Sequence, residues 1–128
     1  MLRFFRLYGL SWVVGITIFY VCIARTLPVD HVPSFEGMDK LVHCLMYLAF
    51  AVALCIDHYR AGVPFLSKRM IIMAVAFPIL YGGLIEILQE NFFPPRTGEW
   101  MDWLADSLGS VIGYLLSKSL VPRYVKPW

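Results

Sequence analysis

The chain has 128 residues, 59% of them hydrophobic and only 16% charged, with a formal net charge of +2. A soluble domain of this length needs a more charged surface than that, so the composition points to a protein largely covered by lipid. The small net charge, with no basic cluster interleaved with exposed aromatics, argues against a nucleic-acid partner.

Four apolar runs follow in order. The first lies between Arg6 and Arg25. At about 1.5 Å per residue it nearly crosses a hydrocarbon core of roughly 30 Å. It is long for a signal-peptide core and lacks a small-x-small cleavage site, so a retained helix over about 7–25 is expected. The second follows Asp39-Lys40 and gives a span over about 39–57. The third follows Lys68-Arg69 and gives a span over about 70–90, kinked at Pro78 and loosened at Gly82-Gly83. The fourth, about 100–120, carries Asp102 and Asp106 in its first turns, so that end must face protein or water. The connections at 26–38, 57–69 and 91–99 all contain proline and glycine. The expected fold is a single all-α domain over 1–128, an integral membrane bundle of four transmembrane helices.

With four spans, Arg3, Arg6, Arg60, Lys68, Arg69, Lys118, Arg123 and Lys126 share one side. All acidic residues except Asp57 share the other. The positive-inside rule then places both termini in the cytoplasm. Trp12, Trp100, Trp103 and Trp128 lie near span ends, as interfacial anchors do.

The extracytoplasmic rim gathers the polar residues. Asp39, His43 and Tyr47 recur every four residues on the second helix and share a face. Glu86 and Gln89 share a face on the third. Arg96 and Glu99 lie in the loop after it. On the fourth helix, Ala105, Gly109, Gly113 and Ser117 recur every four residues, a spacing that lets backbones approach closely. Asp102, Asp106, Gly109 and Gly113 share one stripe, so the packing face also carries the carboxylates. Asp39, Lys40, His43, Glu86, Gln89, Arg96, Asp102 and Asp106 form the candidate ligand-binding set. His43, Glu86 and Asp102 are the candidates for catalysis.

The structural alternative is that Asp39 and Asp102 cap their helices and the rest is interhelical bonding. Met70 and Met73 read as packing or lipid contacts, Tyr81 as interfacial or packed, and His31 and His58 as solvated loop residues. Cys22, Cys44 and Cys55 form no C-x-x-C pair and read as apolar fillers, although depth permits a bridge between Cys22 and Cys44. No cofactor is implied. No close-spaced metal motif such as H-E-x-x-H is present and no metal is expected, although His43, Glu86 and Asp102 are acceptable ligand types for a divalent ion in a variant of the enzyme reading.

The segments Asp39 to Tyr47, Gly82 to Gln89, Pro95 to Asp102 and Ala105 to Gly113 resemble the VanZ-like family of small bacterial membrane proteins. The family pattern D-K-x-x-H, E-x-x-Q, R, D-x-x-x-N/D-x-x-G-x-x-x-G falls on Asp39, Lys40, His43, Glu86, Gln89, Arg96, Asp102, Asp106, Gly109 and Gly113. Asp106 stands where many members carry Asn, which favours hydrogen bonding or ligation there over general-base chemistry. The resemblance implies a multi-pass protein of the bacterial cytoplasmic membrane, with a role in teicoplanin resistance or envelope homeostasis. Its expected partners are the lipid bilayer and a lipid-linked or glycopeptide ligand. Two functions stay open: a non-enzymatic envelope protein binding such a ligand or a membrane partner, and a hydrolase or transferase acting on a lipid-linked substrate. A carrier is disfavoured, because no matching buried charges continue through the cytoplasmic halves of the spans.

Overall fold

The structure, a computed structural model, describes residues 1–23, 37–92 and 99–128. Among these residues every regular element is a helix: α1 (Leu2–Leu7), α2 (Gly9–Ile23), α3 (Met38–Arg60), α4 (Lys68–Phe92) and α5 (Trp100–Tyr124). The expected first helix is broken at Tyr8, which separates α1 from α2. The other three run a few residues longer than their apolar runs, because helix continues into the flanking polar turns.

The helices alternate in direction. α3 and α5 start at the same end, where Lys40 meets Glu99 and Asp102. α2 and α4 finish there, and Gln89 Nε2 donates to the Cys22 carbonyl at 2.8 Å. The opposite end holds Ser11, Asp57 and the turn after α3.

The central contact is between α3 and α5. A Cβ placed on Gly109 would lie 2.1 Å from the Cys44 carbonyl oxygen, and one on Gly113 would lie 2.6 Å from that of Leu48. Neither position accepts a side chain, so the two backbones touch. This is the close approach that four-residue spacing of small residues permits. Ser110 and Ser117 complete the buried stripe of α5.

α4 departs from regular α-helix where proline requires it. Pro78 lacks an N–H, and its ring collides with the carbonyl four residues earlier. Ile72–Ala76 widens into a π-helical turn just before it, the usual way to absorb such a defect. Gly82 and Gly83 do not loosen the helix. A Cβ on Gly82 would meet Asp106 Oδ2 at 2.8 Å, and one on Gly83 would meet Trp103 Nε1 at 3.2 Å. The two glycines leave room for side chains of α5. Trp103 is therefore half-buried, its indole N–H bonded to the Ile79 carbonyl at 2.8 Å, and is not a free interfacial anchor.

At the basic end, Asp57 is buried and its Oδ2 accepts from both the N–H and the hydroxyl of Ser11, each at 2.8 Å. It serves the exposed amides of the first turn of α2, where a carboxylate suits the positive end of the helix. His58 is likewise buried, within α3 rather than in a loop. Its Nδ1–H donates to the Leu54 carbonyl at 2.9 Å, and its ring packs on Tyr8. The chain then folds back under the bundle. Val63 and Phe65 join the core, and the Tyr114 hydroxyl donates to the Phe65 carbonyl at 2.8 Å. Met70 is fully buried, and the Tyr81 hydroxyl donates to the Gly15 carbonyl. Cys44 and Cys55 are in no disulfide, so no bridge joins Cys22 to Cys44.

Two described helices, Met38–Arg60 and Lys68–Phe92, are long and apolar enough to cross a membrane. α2 is apolar but only 15 residues long as described, and α5 carries too much charge and too many polar residues to meet the same measure. The outward faces carry many exposed apolar side chains: Val13 and Ile16 on α2, Leu80, Leu84 and Ile87 on α4, and Leu104, Leu108 and Leu115 on α5.

Replacing Gly109 with alanine should destabilise the protein by about 1–3 kcal/mol or more, the cost of overpacking against a backbone that cannot yield. Gly9, with nothing near its Cβ position, should accept alanine with little change. Thermal unfolding of the two variants in detergent checks this.

Candidate functional site

The register that brings Gly109 onto Cys44 also sets Asp106 beside His43, one turn nearer the rim. His43 Nδ1 lies 2.8 Å from Asp106 Oδ1. When Asp106 is ionised it only accepts, and Nδ1 then carries the hydrogen. The other ring nitrogen, Nε2, faces Asp102 Oδ2 at 3.7 Å. The imidazole thus has a carboxylate on each edge. All three side chains are buried.

Lys40 closes the outer side. Its Nζ donates to Glu99 Oε2 at 2.7 Å and to Asp102 Oδ1 at 3.1 Å. Asp39 sits at the exposed rim, close enough that one of its oxygens groups with His43 and Asp102. Glu86 approaches from α4. Its Oε2 accepts from the Glu99 backbone N–H at 2.8 Å, which fixes the entry to α5. Its Oε1 is buried with no partner among the described residues, and so is the hydroxyl of Tyr47. Tyr47 lies beside Asp106: both crowd the same Gly82 Cβ position, with Tyr47 Cε1 at 3.3 Å and Asp106 Oδ2 at 2.8 Å.

Five of the eight residues singled out from the sequence therefore interlock: Lys40, His43, Glu86, Asp102 and Asp106. Asp39 is at their edge. Gln89 is not among them; it is committed to Cys22 and ties α4 to α2. Arg96 lies outside the described residues. Two participants were not in that set. Glu99 joins through both its side chain and its amide, and Tyr47 through its buried hydroxyl. Tyr47 carried a signal, since it shares the helical face of Asp39 and His43. Glu99 did not, because a loop residue has no periodicity to place it.

Neither acid acts as a simple cap. The residues preceding α3 and α5 are Gly37 and Glu99, and neither helix start has a side-chain cap hydrogen bond. The carboxylates serve each other's neighbours instead. The site is separate from two cavities at the basic half, although Phe50 of the first packs on Tyr47. One, of about 600 Å³, is an apolar groove between α1, α2, α3 and α4. The other, of about 360 Å³, is lined by Arg3, Arg6 and Arg60. No residue of the acidic cluster lines either.

A model of the VanZ/LLP1 family matches residues 12–121. The chain belongs to that family. The match runs from the first turn of α2 to the last turn of α5, so it includes every described residue of the cluster. No curated protein and no solved structure matches the chain.

Replacing Asp106 with asparagine should preserve the fold, because the amide oxygen still accepts from His43 Nδ1–H. Replacing it with leucine strands that buried donor and should cost about 1–3 kcal/mol more. Thermal unfolding of both variants in one detergent measures the difference.

Proposed function

We propose that this VanZ-family protein is a multi-pass protein of the bacterial cytoplasmic membrane. It has four spans and cytoplasmic termini, and binds a polar envelope ligand at its extracytoplasmic rim. The apolar outer faces of α2, α4 and α5 support the membrane reading. Contiguous exposed apolar surface of this extent is unfavourable in water, and the buried stripe of α5 is instead polar and small. The segregation of Lys and Arg to the opposite end supports the orientation.

The observation that carries the binding reading is that two of the three unpartnered buried side-chain atoms among the described residues, Glu86 Oε1 and the Tyr47 hydroxyl, lie in this cluster. Buried polar groups in native proteins are nearly always satisfied, and one that is not calls for an explanation, a bound group among them. The cluster is rich in carboxylates, and its one described lysine is already engaged by Glu99 and Asp102. Lys40 is therefore not available to receive an anion. The ligand that suits such a site offers hydrogen-bond donors: the hydroxyls or amine of a lipid-linked glycan, an aminated lipid headgroup or a glycopeptide. A role in teicoplanin resistance or envelope homeostasis is consistent with a ligand of that kind.

A second reading draws on the His43–Asp106 pair. A buried carboxylate that fixes the tautomer of an imidazole is also the arrangement of general acid–base catalysis. Cleavage or transfer of a lipid-linked substrate by the purified protein, lost in His43→Ala with folding retained, would move the site into the enzymes.

Two measurements test the first reading. In a background without the native cysteines, Asp39→Cys should react with a membrane-impermeant thiol reagent on intact cells, and Trp128→Cys only after lysis. The purified protein should then bind teicoplanin, or vesicles bearing amine or glycan headgroups, in preference to phosphatidylglycerol vesicles. Glu86→Gln should weaken that binding about tenfold or more, the worth of a charge-assisted bond. Equal binding to phosphatidylglycerol, unaltered by Glu86→Gln, would contradict it.

A further inference from the structure

The inner half of the cluster is short of positive charge. Glu86 and Asp106 are both buried. Among the described residues the only basic side chain that reaches either is the imidazole of His43, on Asp106. Lys40 reaches only the outer acids, Glu99 and Asp102. Buried carboxylates persist when they are paired, protonated or bound to metal.

The geometry points to a metal. One oxygen from Glu86, one from Asp106 and one ring nitrogen from His43 all lie within 4.8 Å of one another. Ligand bonds to zinc are about 2.0–2.2 Å, so donors sharing one ion lie at most about 4.4 Å apart. Small side-chain rotations suffice to close the three onto a common centre. We propose that His43, Glu86 and Asp106 hold a divalent first-row transition-metal ion of the zinc or manganese class.

The donor set selects that class. Imidazole suits transition metals, and carboxylates extend the choice to manganese without favouring soft ions. The supporting groups are those a metal site requires. Asp106 lies 2.8 Å from Nδ1 of His43 and Asp102 lies 3.7 Å from Nε2, so a carboxylate stands beside each ring nitrogen, as in carboxylate–histidine–metal arrangements. Two of the three buried groups without partners among the described residues belong here as well. Glu86 Oε1 is a free lone-pair donor, and the Tyr47 hydroxyl lies beside Asp106. Neither is explained by hydrogen bonding within the cluster.

A second group of three, Asp39, His43 and Asp102, shares His43. It is the weaker site, because Asp39 is exposed and Lys40 already neutralises Asp102. Three protein ligands leave coordination positions open, as catalytic and substrate-binding zinc sites do. An ion there would accept oxygen donors from a polar headgroup. The inference deepens the binding reading above, since it names what the buried acids hold.

The full-length protein in detergent, freed of metal with a chelator and then of the chelator, should take up one equivalent of zinc or manganese per chain. Elemental analysis and a rise in unfolding temperature report this. Cobalt should give a visible ligand-field band. Glu86→Gln and Asp106→Asn should each weaken uptake roughly tenfold or more, and Asp39→Asn should retain it. Wild-type protein that takes up none of the three metals overturns the proposal, whether or not the variants fold. So does uptake lost in Asp39→Asn but kept in Glu86→Gln, or stabilisation by magnesium or calcium alone. The assay uses the metal by itself, so metal uptake without envelope-ligand binding would uphold this inference and remove the earlier one. The reverse result would do the opposite.

Discussion

The contact between the backbones of α3 and α5 is the constraint on which the rest depends. Both helices start at the acidic end and run in the same direction. Each step along one is matched on the other: Lys40 with Asp102, His43 with Asp106, Cys44 with Gly109, Leu48 with Gly113. The glycines set the distance between the axes. At any larger separation, His43 Nδ1 could not reach Asp106 at 2.8 Å. The parallel arrangement also brings two helix N-termini to the rim, and their positive ends favour the carboxylates collected there. A contact made only of glycine and carbonyl therefore decides where the chemistry lies.

Around that contact, the usual distribution of polarity is inverted. Asp106, Ser110 and Ser117 are inside, while Leu104, Leu108 and Leu115 on the same helix face out. α4 does the same, with Glu86 and Gln89 inside and Leu84 and Ile87 outside. In water this arrangement would leave the core weak and the surface adhesive. In lipid it is economical, because helices there associate through close packing and interhelical bonds rather than through burial of apolar area. The opposite end keeps a more ordinary core of Val63, Phe65, Met70 and Tyr114, beneath the basic residues.

Much of this was legible in the sequence, for reasons specific to each part. The four-residue spacing of Gly109 and Gly113 marked a packing face, and Asp102 and Asp106 lay on the same stripe, so their burial followed from helical geometry. The convergence of His43, Glu86 and Asp102 followed from placing helix ends at one level. What escaped was whatever depended on a partner distant in sequence. Asp57 serves the start of α2, 46 residues away, and no local pattern announces that. His58 was misread because the basic and breaker residues after Asp57 suggest a loop, whereas α3 continues to Arg60. Gly82 and Gly83 look like helix weakeners until Asp106 and Trp103 are seen to occupy the space they leave. Gln89 shares a face with Glu86, yet one turn separates a site residue from a tether to α2.

The cluster could in principle be interhelical bonding and nothing more, and part of it is. Lys40 with Glu99 and Asp102, and Glu86 with the Glu99 amide, tie three helices together at one end. A purely structural network, however, gains from being complete, since each unmet group in a buried setting costs more than a made bond returns. Of the three unmet buried groups among the described residues, Ser117 Oγ lies beside Cys55 towards the other end of α5, and the other two lie together. Glu86 Oε1 and the Tyr47 hydroxyl both belong to the neighbourhood of His43 and Asp106, on the side away from Lys40. Among the described residues, the same three helices that satisfy the outer acids bring only the imidazole of His43 to the inner ones, on Asp106. Selection for stability alone would more simply have put an apolar pair at those positions, because replacing both partners of a buried polar contact is often neutral or stabilising. Retaining an acid, a phenol and an imidazole together in the tightest part of the bundle is what a site that must receive something requires.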